Sequence, residues 1–230
     1  MSVRLDIISI GTLSRNRLWQ ESASTRTPHA TTTLLRIRDA TGPRFILIDP
    51  GLPTPVQAAR LGERTGLAPE RIDTIFLTNF RPAHRAGLAA FPRARILLHE
   101  RERQAVGDHL RALLERLEDE PEARKLVRQE LDVLGHTRAA EDRLAPQVDL
   151  FPLPGYTPGT CGLLVTEATS TTLIAGDAVP TRDHLLAAQV LPDAVDVAAA
   201  QESMREVYEI ADLIVPGHDN LFMNPRSYGG

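Results

Sequence analysis

One cysteine, Cys161, stands among 230 residues. No disulfide can close within the chain, and a cysteine-rich zinc module is excluded. Long apolar runs are also missing. The opening MSVRLDIISIGTL alternates, is too interrupted to cross a bilayer, and lacks the basic start and apolar run of a signal peptide. A cytoplasmic location without membrane attachment is the expectation. Charge of one sign is scarce: 26 basic against 30 acidic residues leave a formal net charge of -4. That balance gives no long-range pull toward nucleic acid. The chain has no GxGxxG after its first apolar run, no GxxxxGK[ST] and no GxSxG, which removes the usual nucleotide and serine-hydrolase signatures. No repeat or low-complexity tract stands out.

What is present reads as a globular α/β chain. The hydrophobic share is 42%, with 17 prolines and 15 glycines punctuating many short elements, and the length suffices for one sizeable core. LDIISI (5–10), TTTLLRI (31–37), RFILIDPG (44–51), IDTIFLTN (72–79) and ARILLHE (94–100) read as strands. Residues 55–65, 85–91 and 198–210 read as helices. Residues 100–143 carry leucines at helical spacing on a charged background, predicting one or two amphipathic helices that form an insert or a lid. CGLLVTEATSTTLIAGDAV (161–179) predicts a hairpin, ADLIVPGHDN (211–220) a strand, and NPRSYGG a loose tail. Strands outnumber a simple βαβ alternation, so a mixed two-sheet core with outer helices is expected, as one domain over 1–230.

Three apolar strands end in polar punctuation: LTN with His84 shortly after, IAGD at Asp177, and VPGH at His218. Ligands in α/β proteins collect beyond such strand ends. Two imidazoles and a carboxylate can hold one divalent ion facially. The same residues also read as a turn aspartate with two hydrogen-bonded histidines. Gly176 and Gly217 are placed to give backbone room before Asp177 and His218. Cys161 reads as a small core thiol. His29 either lines the mouth of a site or serves a turn, while His99, His109, His136 and His184 read as solvated or helix-surface residues.

The order of ILIDPGLP, IDTIFLTNFRPAHRAGLAAFPRARILLHE, LPGYTPGTCGLLV, TLIAGDAV and ADLIVPGH resembles the metallo-β-lactamase fold superfamily across most of the chain. The resemblance implies a four-layer αββα sandwich of two mixed β-sheets, and hydrolysis with one or two metal ions. It also implies a possible homodimer. The family motif THxHxDH falls on Thr78–His84, where Asn79, Arg81 and Ala83 replace two histidines and the aspartate. Tyr156 replaces the histidine of a PGHTPG segment. His84, Asp177 and His218 keep the family's residue types.

The histidines of the first family metal are therefore gone, and no dinuclear centre is expected. Arg81, a permanent cation without a lone pair, is expected to pair with Asp177. Either one zinc or iron sits on His84, Asp177 and His218, or the pocket is metal-free. The resulting floor of Asn79, Arg81, His84, Tyr156, Asp177 and His218 suits a small, anionic ligand, with Asn79, Arg81, Tyr156 and His29 as binding residues. Three readings stay open: a hydrolase of small esters, thioesters or lactones using His84, Asp177, His218, Tyr156 and Arg81; a metal-free isomerase, cyclase or dehydratase; and an inactive binding or scaffold protein.

Overall fold

The computed structural model describes residues 2–39 and 42–228. Two six-stranded mixed sheets face each other. The first runs in the order β1 (Ser2–Ser9), β2 (Thr32–Asp39), β3 (Gly42–Ile48), β4 (Thr74–Leu77), β5 (Arg95–Leu98), β6 (Thr137–Ala139). Its first three strands pair antiparallel and the rest parallel. The second comprises β7 (Arg143–Ala145), β8 (Val148–Pro152), β9 (Cys161–Thr166), β10 (Thr171–Gly176), β11 (Leu213–Pro216) and β12 (Phe222–Met223), also in chain order across the sheet. Only its β10–β11 pair is parallel.

The continuous apolar run of β3 explains the layering. Ile46 and Ile48 face the second sheet, meeting Leu163 and Ile174 in the central core. Phe45 and Leu47 face the other way, toward outer helices. A strand buried on both faces has no polar side to alternate with. The outer layer on the first sheet is α1 (Thr54–Thr65), α3 (Glu100–Arg116) and α4 (Pro121–Gly135), which supply Leu61, Leu110, Val127 and Leu134. The second sheet is covered by α5 (Arg182–Leu186) and α6 (Val197–Ile210), through Leu185, Met204 and Val207. This is the αββα sandwich expected.

Two expectations change. Residues 100–143 form no lid: α3 and α4 are the outer layer itself, and the segment ends in strands β6 and β7. Their leucine stripe is a core face. The tail is anchored up to Arg226, because Asn224 is buried and its amide donates to the carbonyls of Tyr208 and Ala211 at 2.7 Å. Residues 229 and 230 lie outside the described residues. Cys161 is a buried core residue whose thiol burial pushes up to about 12. Among the described residues no helix is long and apolar enough to cross a membrane.

Candidate metal centre

Loops beyond β3, β4, β10 and β11 meet at one end of the sandwich. β4 passes through Thr78 and Asn79 into the one-turn helix α2 (Pro82–Arg85), which carries His84 inward, fully buried. Asp177 follows Gly176, and His218 follows Gly217. Gly176 has φ +54°, and a Cβ there would lie 2.4 Å from Thr78 Oγ1. The missing side chain lets two strand ends touch.

Ligand atoms of His84, Asp177 and His218 all lie within 4.8 Å of one another. His84 Nε2 is 2.8 Å from Asp177 Oδ2, and His218 Nε2 is 3.0 Å from Asp177 Oδ1. The outer nitrogens are held from behind. His84 Nδ1 lies 3.0 Å from Asp49 Oδ2 and 3.2 Å from Thr78 Oγ1, while the Thr78 hydroxyl donates to Asp49 at 2.7 Å. Thr78 has thereby spent its only proton, so His84 Nδ1 is a donor. His218 Nδ1 lies 3.1 and 3.0 Å from the carbonyls of Thr12 and His29, which only accept. Both rings therefore turn Nε2 toward Asp177. A metal-binding imidazole is oriented in this way, its other N–H given to a carboxylate or carbonyl.

A second observation bears on the fit. Asp177 Oδ1 is buried and makes no hydrogen bond of normal geometry, even with His218 Nε2 at 3.0 Å. A buried carboxylate oxygen left this way wants a cation. The residues present fit one divalent ion held by two nitrogens and one oxygen. This is the one three-residue metal-ligand group among the described residues. The other oxygen is already engaged: Oδ2 accepts from the Asn79 amide at 2.9 Å and lies 2.8 Å from His84 Nε2.

Electrostatics follow from this geometry. Burial by itself would lower the His84 pKa, but Asp177 and Asp49 outweigh it and raise it to about 10. Burial would raise Asp177, yet the charges of His84 and His218 hold it well below the ordinary carboxylate range. Tyr156 is pushed up by burial and by the charge of Asp177, more than Arg81 draws it down, so the phenol keeps its proton.

A cleft of about 480 Å³ opens above the triad. Arg81, Tyr156 and Asp193 line it, together with Arg15, Arg17 and Pro28 from the loop after β1. That loop is tied to α5 by Trp19 Nε1, which donates to Asp183 at 2.7 Å.

The expected residues separate into groups. His84, Asp177, His218, Tyr156 and Arg81 line the cleft. The Arg81–Asp177 pair does not form. Arg81 begins α2 in an extended conformation, and its guanidinium lies over the Tyr156 ring at 5.2 Å and 3.8 Å from Asp193. Asp177 is balanced by His84, His218 and Asn79 instead. Asn79 is fully buried behind the cleft, so it positions Asp177 rather than meeting a ligand. The His29 ring lies on a different cavity, near the carbonyls of Thr27 and Ile10, and only its carbonyl serves the site. Asp49 and His184 were not expected here. Asp49 is buried with φ +49°, a strained conformation for a non-glycine residue, and directly follows the β3 run. His184, read as solvated or helix-surface, is on a helix but 5% exposed, and it lines the cleft.

The chain resembles solved structures over nearly its whole length. A candidate metallo-beta-lactamase from Thermotoga maritima aligns over 96% of this chain and 99% of its own, with a TM-score of 0.68 at 18% identity. AidC, a dizinc quorum-quenching lactonase in complex with its product, covers 87% of this chain and 77% of its own, at 0.66 and 16%. Bacillus thuringiensis AiiA, as a variant with N-decanoyl-L-homoserine bound at its active site, covers 94% and 92%, at 0.60 and 21%. These likenesses establish the fold. No curated protein sequence matches the chain. The profile of the metallo-beta-lactamase superfamily matches residues 30–218, from just ahead of β2 to the last triad histidine, and the chain belongs to that superfamily.

Proposed function

We propose that the protein hydrolyses a small ester, thioester or lactone with one divalent ion, zinc or iron, held by His84, Asp177 and His218. The observation that carries the reading is the shared orientation of the two imidazoles, whose Nδ1 atoms are fixed by Asp49 and by the Thr12 and His29 carbonyls while both Nε2 atoms face Asp177. The lactonases among the structural relatives support this choice of substrate class. When bound, the ion supplies a Lewis acid for the carbonyl and makes water acidic enough to attack near neutral pH.

The chain's own residues do the rest. Arg15, Arg17 and Arg81 surround the cleft and favour an anionic substrate or a carboxylate product. Tyr156 keeps its proton and donates, with its hydroxyl 3.2 Å from Asp193 in the resting site. Asn79 holds Asp177 in register. The cleft, about 480 Å³, is of a size for small molecules. We read the same chain as a cytoplasmic protein on its lone buried cysteine, and as a homodimer by family resemblance.

One observation favours a second reading, a metal-free pocket for isomerisation, cyclisation or binding. His84 between Asp49 and Asp177 already carries compensating positive charge. Elemental analysis of gently purified protein, beside a panel of p-nitrophenyl butyrate, S-butyryl thioester and γ-butyrolactone with and without chelator, decides between them. About one zinc or iron per chain with chelator-sensitive hydrolysis is expected. Metal-free protein that gains no hydrolysis on zinc or iron addition overturns the hydrolase reading.

A further inference from the structure

The cleft contains an imidazole outside the triad. His184 sits on α5 and is buried except where it lines the cleft. Its Nδ1 lies 2.8 Å from Thr181 Oγ1. That same oxygen caps α5 by accepting the His184 backbone N–H at 3.3 Å. A threonine hydroxyl has one proton to give. Among the described residues, His184 Nδ1 is the acceptor the hydroxyl reaches. Nδ1 is then the lone-pair nitrogen, and the neutral ring carries its proton on Nε2. His184 and His218 are thus held in opposite ways. Carbonyls hold the Nδ1–H of His218 and turn its Nε2 toward Asp177, whereas His184 is held at Nδ1 by a hydroxyl and keeps its proton on Nε2, in a ring that lines the cleft.

We propose that His184 is a further catalytic residue, whose Nε2–H donates a hydrogen bond to the carbonyl oxygen as negative charge gathers there. The inference rests on the hydrolase reading. Water oxygen bonds to the carbonyl carbon, the bond to the leaving oxygen or sulfur breaks, one water proton ends on the leaving atom, and the other stays on the new acid. His184 neither gains nor loses a proton. Its work is to offer a fixed dipole where charge develops, from a ring that is itself 5% exposed. Burial lowers its proton affinity and His218 adds to this, against an opposing effect of Asp183, which suits a ring that stays neutral. The Thr181 cap needs only the His184 backbone N–H, so the cap does not account for an imidazole that lines the cleft.

The test combines NMR with kinetics. In ¹⁵N-labelled protein at pH 8, the His184 proton is expected on Nε2, and Thr181→Val is expected to let Nδ1–H appear. Sodium butyrate, a product carboxylate, is expected to shift the Nε2–H signal. With zinc-loaded protein and γ-butyrolactone, His184→Phe is expected to lower kcat about 10²–10³-fold. KM should move less than about 3-fold, as for an interaction made mainly in the transition state. His184→Gln, whose amide reaches toward the Nε2 position, should recover part of the loss. A proton found on Nδ1, or His184→Phe with wild-type kcat, overturns the proposal. If wild-type protein hydrolyses none of the panel, the hydrolase reading fails by itself. The butyrate titration then decides whether His184 is a donor: a shifted Nε2–H supports it and an unmoved one refutes it.

Discussion

Asp49 Oδ2 and His84 Nδ1 lie 3.0 Å apart, on the side of the imidazole away from Asp177, with both residues buried. The aspartate also accepts the Thr78 backbone N–H at 2.8 Å, so it links the end of β3 to the start of the His84 turn. Its positive φ is the local cost of that placement. Asp49→Ala should weaken zinc binding about 10–100-fold, the usual penalty for losing an outer partner of a metal-binding histidine. In metal-free protein it should also cost about 3–5 kcal/mol, because half of a buried charged pair is left behind. Zinc competition titration and chemical denaturation check the two effects. Unchanged zinc affinity would show that Asp49 serves folding alone.

The raised pKa of His84 sets a pH dependence. The groups facing its ring are Asp49 and Thr78 on one side and Asn79, Asp177 and His218 on the other. The folded value, about 10, exceeds the ordinary 6.5. Its contribution to stability is therefore fully present below pH 6.5, shrinks as pH rises, and is gone above about 10. Asp177 has the opposite sign: its lowered pKa adds stability above the ordinary 3.8, and this is lost on acidification. Metal-free protein should melt at the highest temperature between these limits and lose stability steadily from neutral to alkaline pH. Because a metal ion must displace the proton on His84 Nε2, zinc affinity should rise by up to about tenfold per pH unit over the same range. Melting curves with chelator and zinc titrations at stepped pH test both slopes. A flat profile in each would mean that His84 is neutral.

Much of the architecture was legible because burial on both faces leaves a plain trace. Ile46 and Ile48 face one core and Phe45 and Leu47 another, so the β3 run had to lie between two layers. His84, Asp177 and His218 were also readable, each following an apolar strand whose end the fold gathers. Asp49 was hidden because nothing local in ILIDPG tells that its side chain turns back under His84. The cleft-facing place of His184 depends on the Thr181 cap and on packing of α5. Arg81 was misread for a physical reason: motif position brings it to the cleft, but backbone direction at the start of α2 sends its guanidinium to Tyr156 and Asp193.

That location, away from Asp177 and on the cleft, underlies the proposed role of Arg81 in binding an anionic substrate. Arg81→Gln keeps hydrogen-bonding capacity but removes the charge. It should raise KM for an ester bearing a carboxylate by about 10–100-fold, the scale of a lost charged hydrogen bond, and leave a neutral ester within about 3-fold. Stability should change by under about 1 kcal/mol, since a half-exposed cation over a ring is worth little. Zinc affinity should hold or rise slightly, because one nearby positive charge is gone. Equal losses for charged and neutral esters would move Arg81 from binding to the chemistry itself.

Gly217 tests whether the triad tolerates any displacement. A Cβ at this position would stand 2.6 Å from Asp177 Oδ1 and 3.0 Å from the Gly176 backbone. The carboxylate cannot retreat freely, since Asn79 holds its other oxygen at 2.9 Å and His84 stands 2.8 Å away. Gly217→Ala must therefore push His218 and Asp177 apart or shift the Asp177 turn. Either movement spoils convergence on one ion. The expected cost is about 1–3 kcal/mol for forced overpacking, with loss of stoichiometric zinc binding that exceeds any loss of fold. Circular dichroism should remain sandwich-like while elemental analysis falls toward zero. A variant that keeps one zinc per chain at wild-type affinity would show that the ion does not depend on Asp177 Oδ1.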